Sequence, residues 1–91
     1  MRKFSYVFTT HVVDQMRERG IEEQEVRLTV ETGVLTQLSD NRALRRRVFT
    51  LGYSSGGQEY PHKEVTVIYT IEDSNIIVIT AIARYGMFPG V

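Results

Sequence analysis

Residues 9–21 read TTHVVDQMRERGI, a stretch with the start, stop and spacing of a short amphipathic helix. Thr9 suits the start, because a threonine hydroxyl can accept free backbone N–H groups of the first turn. Gly20 suits the stop, because glycine readily adopts the left-handed conformation that ends many helices. We therefore predict a helix over Thr10–Arg19 with an apolar face (Val12, Val13 and Met16) and a neighbouring polar face (His11, Gln15, Glu18 and Arg19).

The length and composition indicate one ordinary globular domain spanning residues 1–91. Hydrophobic residues make up 42% of the chain and charged residues 24%, which is typical of a soluble domain. The chain has no cysteine, so disulfides and thiolate chemistry are excluded, as is common in a reducing compartment. The longest stretch without a strongly polar residue, Ile76–Ala83, is far too short to span a bilayer. We expect a cytoplasmic protein without a membrane partner.

A second helix follows the first, and the periodicity then changes to that of strands. Ile21–Thr32 has glutamates near its start, which suit the positive end of a helix dipole, with Glu22 as N-cap and Gly33 as the stop. Beyond it, apolar and polar residues alternate with a period of two. The pattern predicts an N-terminal extended segment, Arg2–Phe8, and four later strands: Val34–Leu38, Arg45–Tyr53, Glu64–Ile71 and Ile76–Ala83. Ser54–Lys63 is predicted to be a loop and Arg84–Val91 a tail.

Because the helices and strands are segregated along the chain, we predict an α+β domain. Its two N-terminal helices should pack on one face of an antiparallel meander sheet of about four strands. Ile76–Ala83 is apolar on both faces, so we expect a central strand. Its partner should be Glu64–Ile71, joined to it through a hairpin turn at Glu72–Asn75.

Metal-independent chemistry is the reaction class that the composition leaves open. The chain has no phosphate-binding glycine loop, no nucleophile motif and no cysteine–histidine metal set. We therefore expect no metal and no cofactor. His11 is the first candidate for a general acid or base, because imidazole titrates near neutral pH. The alternative is that His11 is a hydrogen-bonded helix residue without a chemical role.

Arginines are the second group of candidate site residues. Four of the eleven basic residues lie between Arg42 and Arg47, and alternation puts Arg45 and Arg47 on one face of a strand. Planar guanidinium groups suit phosphate oxygens and the charge that develops during phosphoryl transfer. The alternative is an ion-pair network with the acidic helices. Arg84 and Tyr85 follow the predicted central strand, and Tyr85 is either a functional side chain or an apolar lid on the core.

The run His11-x-x-x-Gln15-Met16-x-x-Arg19-Gly20-Ile21 resembles the opening of a bacterial family of small domains of unknown function. The acid-rich second helix, the arginine-bearing strands and the final Ile79-Thr80 strand agree with that likeness. The family is grouped with RelE-like toxins in the barnase–EndoU–colicin–RelE ribonuclease fold. His11 and Arg19 match its pattern, whereas Gln15 replaces the arginine that usually stands four residues after the histidine.

The resemblance implies a toxin-like, metal-independent endoribonuclease that cleaves RNA by attack of the ribose 2′-oxygen on the adjacent phosphate. In that interpretation His11, Arg19 and Tyr85 are catalytic, and Arg45, Arg47 and Arg84 bind RNA on the open face of the sheet. RNA and an antitoxin-like protein are the expected partners, and a homodimer is a further expectation. The rival interpretations are a non-catalytic binding module of the same fold and a purely structural role, because one fold hosts many functions. Zero net charge and Gln15 favour the rivals.

Overall fold

The computed structural model describes residues 4–50 and 52–88, which form two helices and seven strands. The predicted strand positions Arg2, Lys3 and Leu51 and the tail beyond Phe88 lie outside the described residues. In chain order the elements are β1 Ser5–Phe8, α1 Thr10–Arg19, α2 Glu23–Thr32, β2 Val34–Ser39, β3 Arg42–Phe49, β4 Tyr53–Ser55, β5 Gln58–Tyr60, β6 His62–Glu72 and β7 Asn75–Gly86.

Helix α1 begins and ends at the predicted residues. The Thr9 hydroxyl accepts a hydrogen bond of 3.2 Å from the backbone N–H of Val12, and Gly20 ends the helix with a φ of 69°. Glycine adopts this left-handed conformation without the steric penalty of a side chain. One part of the predicted apolar face is wrong, because Val12 and Met16 are buried whereas Val13 is 37% exposed.

Helix α2 has the predicted capping residues, Glu22 and Gly33. However, Gly33 does not adopt the left-handed conformation of a typical glycine C-cap. At the start, Glu25 accepts a hydrogen bond of 2.9 Å from the backbone N–H of Glu22, as in a capping box. At the end, Gly33 has a φ of −74°. A Cβ there would lie 2.5 Å from the carbonyl oxygen of Thr29 and 2.8 Å from that of Arg46. Glycine is therefore required by close backbone approach.

The main sheet has five strands in the order β1-β7-β6-β3-β2, and β4 pairs with β5 in a separate ribbon. The predicted antiparallel meander of about four strands needs two corrections. First, β1 adds a fifth strand that pairs with β7 in parallel, with Ser5 opposite Asn75. Second, part of the predicted loop Ser54–Lys63 forms β4 and β5. Periodicity identifies an extended segment but not its partner, so a pairing between the two ends of the chain is invisible to it.

The predicted hairpin is confirmed, since β6 and β7 pair from Glu72 and Asn75 back to His62 and Gly86. Strand β7 lies between β1 and β6 over residues 76–78, which confirms the predicted interior position for these residues. Beyond Val78, as far as Ala83, it pairs with β6 alone, so the prediction is wrong for this part of the strand, because β1 is too short to reach it. Because β7 extends to Gly86, the predicted tail at Arg84 and Tyr85 is part of the strand. The register shifts by one residue at Ile79, which has no partner on β6.

Both helices pack on the same face of the sheet, and the core lies between these two layers. No helix of residues 4–50 and 52–88 covers the opposite face, which we call the open face. Neither α1 nor α2 is long and apolar enough to cross a membrane. The core consists of buried apolar residues from the helices and the two inner strands (Val12, Met16, Ile21, Val26, Val30, Val65, Val67, Tyr69, Ile76, Val78 and Ala81).

Candidate active site

His11, Gln15 and Arg19 form a row along α1, which we call the polar row, because residues four apart in a helix lie above one another. The buried residues Val12 and Met16 set the orientation of the helix against β7, and this orientation places the polar row at the border between helix and strand. His11 and Arg19 are exposed, and Gln15 is half-buried. The packing of α1 thus directs a row of polar side chains along the edge of β7.

The backbone of Ala81 anchors this row. Strand β1 pairs with β7 only as far as Val78, so the side of β7 beyond that point has no neighbouring strand. The N–H of Ala81 donates to the side-chain oxygen of Gln15 at 3.2 Å, and Nη1 of Arg19 donates to the carbonyl oxygen of Ala81 at 2.6 Å. These two side chains satisfy backbone groups that a sixth strand would otherwise have paired.

The same contacts orient the Gln15 amide toward His11. A backbone N–H can only donate, so the Gln15 atom that meets Ala81 is its oxygen. The Gln15 amide nitrogen therefore points to Nε2 of His11, 3.0 Å away, and donates to it. An imidazole nitrogen accepts only when it carries no proton, so this contact forms with the tautomer that carries its proton on Nδ1.

Tyr85 joins the far end of the row. Its hydroxyl donates to the carbonyl oxygen of Arg19 at 2.8 Å, and its ring lies 5.8 Å from the ring of Tyr60. Tyr85 is therefore neither a free tail residue nor a simple lid on the core. Three predicted catalytic residues, His11, Arg19 and Tyr85, are brought together in one continuous set of contacts.

Lys63 and Glu25, which the sequence prediction missed, support this row from the core side. Lys63 is 2% exposed, and its ammonium donates to the Glu25 carboxylate at 2.6 Å and to the carbonyl oxygen of Gly20 at 2.5 Å. The signal was present in the alternation, because Lys63 lies in phase with the buried Val65 and Val67. A lysine in phase with core residues indicates a buried charge that requires a partner.

Arg45 and Arg47 lie apart from His11, and their expected place on the open face is wrong. They are opposite Val67 and Val65, on the helix-covered face of β3, and β6 separates β3 from β7. Arg45 donates to the carbonyl oxygen of Gly33 at 2.9 Å, and Arg47 donates to the Thr32 hydroxyl at 2.5 Å. The C-terminal end of a helix has unpaired carbonyl groups and a partial negative charge, which attract guanidinium groups.

Arg84 does lie on the open face, but it is paired there. Its Nε is 3.0 Å from a carboxylate oxygen of Glu64, and its guanidinium lies 5.2 Å from the centre of the Phe88 ring. The structure thus divides the six predicted site residues into a connected trio and three separately engaged arginines. Among the residues described, no group of three or more His, Cys, Asp or Glu side chains could hold a metal ion.

Comparison with known proteins gives one match. The model of a family described as a domain of unknown function, DUF4258, matches residues 8–83. No curated protein and no solved structure matches the chain. The matched range includes α1 and most of β7, which together carry the polar row.

Proposed function

The chain belongs to the DUF4258 family of domains of unknown function, and for this member we propose a metal-independent endoribonuclease activity of the RelE-like toxin type. The observation that carries the proposal is the hydrogen-bonded row of His11, Gln15, Arg19 and Tyr85. It combines an exposed imidazole, a guanidinium and an aromatic hydroxyl in one set of contacts. These are the groups that RNA cleavage without a metal requires.

His11 and Arg19 are two helical turns apart, yet their functional groups can act on one phosphate. Gln15 and Arg19 bind the N–H and the carbonyl of a single residue, Ala81, so the Arg19 guanidinium folds back toward the Gln15 amide. That amide contacts His11. The imidazole and the guanidinium therefore flank one amide group, and a phosphate above it would meet both.

The reaction we propose begins when a ribose 2′-hydroxyl replaces the Gln15 amide at Nε2 of His11. The imidazole takes the hydroxyl proton, and the 2′-oxygen attacks the adjacent phosphorus. The bond from phosphorus to the 5′-oxygen breaks, and the products are a 2′,3′-cyclic phosphate and a 5′-hydroxyl that takes its proton from water. The Arg19 N–H groups that do not bind Ala81 stabilise the charge on the phosphate oxygens. Tyr85 stacks on a neighbouring base.

The test is cleavage of unstructured RNA oligonucleotides by the purified protein in the presence of a chelator. His11→Ala should reduce the cleavage rate by about a hundred to ten thousandfold, as is typical for a lost acid–base group. Asp14→Ala, at an exposed position of the same helix outside the row, should cleave at the wild-type rate. Full activity of His11→Ala would contradict the mechanism.

A non-catalytic binding module of the same fold is the second candidate. The observation that favours it is the engagement of Arg45, Arg47 and Arg84 in contacts within the domain. If the wild-type protein cleaves none of a varied set of RNAs, this candidate replaces the first. An Arg45→Ala, Arg47→Ala protein then shows whether RNA binding involves these arginines, since each lost phosphate contact lowers the salt slope of binding by about one.

A further inference from the structure

The outer edge of β2 has no neighbouring strand among the described residues, and Val34–Gln37 pairs regularly with β3 before a bulge near Leu38. All six residues of β2 are exposed, and they include Val34, Leu35 and Leu38, at 71%, 49% and 48% exposure. None of the six is charged and none is proline, although both are common means of keeping a sheet edge from pairing. An edge strand directs alternate N–H and C=O groups outward, so this edge can accept a further strand.

Two arginines without partners border this edge on the open face. Arg46 is opposite Val34, and Arg42 lies four residues earlier on β3, hence on the same face. Neither makes a hydrogen bond, ion pair or ring contact within the described part of the chain. Four residues of a strand span about 13 Å. Of the acids near them, Glu64 is paired with Arg84, and Asp40 in the turn before Arg42 forms no ion pair within the described residues.

On the other face of the same edge lies a groove of about 390 Å³. Leu35 and Gln37 of β2 border it, as do Ala43 and Arg45 of β3 and Tyr69 of β6. Its end near the turn between β2 and β3 is lined by Asp40 and Arg42. An added strand would direct every second side chain into this groove and the alternate side chains toward Arg42 and Arg46. The part of the groove beside Leu35, Ala43 and Tyr69 thus offers space for apolar side chains, and Arg46 on the open face and Arg42 at the end of the groove supply positive charge.

We propose that β2 docks an extended, acidic segment of a partner protein, which adds to the sheet as a strand beside Val34–Gln37. Carboxylates four residues apart on that segment would pair with Arg42 and Arg46, and apolar residues between them would enter the groove. RNA is less suitable, because it cannot form a β-ladder and exposed aliphatic side chains give its bases nothing to stack on. A second copy pairing through its own β2 is also less suitable, because that strand has no carboxylate to pair with Arg42 and Arg46. The proposal does not depend on ribonuclease activity.

The test is an NMR titration of the full chain with a blocked heptapeptide in which valines alternate with glutamate, threonine and glutamate. Chemical-shift changes should concentrate in residues 34–46 and weaken with added salt. The same peptide with lysine in place of glutamate should bind about tenfold more weakly, since two exposed ion pairs are lost. An Arg42→Glu, Arg46→Glu protein should reverse this preference, whereas Arg17→Glu, a matched charge change on the exposed face of α1, should leave it unaltered.

Several outcomes would overturn the proposal. Shift changes outside β2 and β3, or equal binding of the two peptides by the wild-type protein, would remove the acidic strand as the occupant. Stronger shifts of the same residues with an oligouridylate would assign the surface to RNA. Concentration-dependent shifts at β2 without any peptide would assign it to a second copy of the chain.

Discussion

Gln15 makes two hydrogen bonds that serve different purposes. Its oxygen satisfies the backbone N–H of Ala81, which is a structural role, and its amide nitrogen contacts Nε2 of His11, which can accept only when that nitrogen carries no proton. An arginine at this position could not accept from Ala81, because a guanidinium has no acceptor. Gln15 therefore ties the helix to β7 through a hydrogen bond that an arginine at this position could not form.

Gln15→Glu separates the two roles. A carboxylate still accepts from Ala81, but it cannot donate to His11, so the imidazole should gain its second proton. The ¹⁵N chemical shifts of the ring at neutral pH should report the neutral Nδ1–H tautomer in the wild-type protein and imidazolium in Gln15→Glu. Gln15→Ala should in addition lose about 1 kcal/mol of unfolding free energy through the unpaired Ala81 N–H. A wild-type ring protonated on Nε2 would contradict the assignment.

Lys63 and Glu25 form a buried ion pair that also binds backbone groups at the end of α1 and at the start of α2. Glu25 accepts from Glu22 at the start of α2, and Lys63 donates to Gly20 at the end of α1. Lys63→Met should lower the unfolding free energy by about 3–5 kcal/mol, because it leaves a buried carboxylate without its partner. Urea denaturation measures the loss. Adding Glu25→Leu to Lys63→Met should recover part of it, and a double variant as unstable as the single one would contradict the pair's role.

At the scale of elements, β7 combines a regular buried face with one irregular position. Val78 is fully buried between the helices and the sheet, whereas Ile79 occupies the register shift and is half-buried. Val78→Ala should cost about 2 kcal/mol of unfolding free energy and Ile79→Ala about 1 kcal/mol, although isoleucine loses more atoms. Chemical denaturation of the two variants checks the order, and the reverse order would show that the Ile79 side chain is the better packed one.

Helix α2 shows how one sequence signal can have two physical causes. Glycine after a helix usually indicates a left-handed cap, which describes Gly20 but not Gly33. At Gly33 the carbonyl oxygens of Thr29 and Arg46 leave no room for a Cβ. The stop was predictable from the residue type, but its cause depends on β3, which lies beside the helix only after folding.

At the scale of the molecule, the sheet order predicts how stability is distributed. Strand β6 is paired on both sides and β7 is flanked by β1, β6 and α1, whereas β2 is an exposed edge and β4 and β5 form a separate ribbon. Native-state hydrogen exchange should therefore be slowest for amides of β6 and the inner part of β7, and fastest for those of β2, β4 and β5. Protection of β2 amides equal to that of β6 would indicate that another chain covers the β2 edge.

Residues close together in the chain account for the local structure, namely both caps of α1, the start of α2 and the hairpin from β6 to β7. Each depends on residues that are close in the chain, such as Thr9 with Val12, and on a periodicity that a short segment displays. Tertiary structure alone decided the parallel pairing of β1 with β7 and the binding partners of the site residues. Alternation shows that Arg45 and Arg47 share a face, but not which face the helices cover. The partners of Gln15 and Arg19 lie 66 and 62 residues away, because the unpaired backbone of Ala81 arises only when the strand order leaves that edge of β7 open.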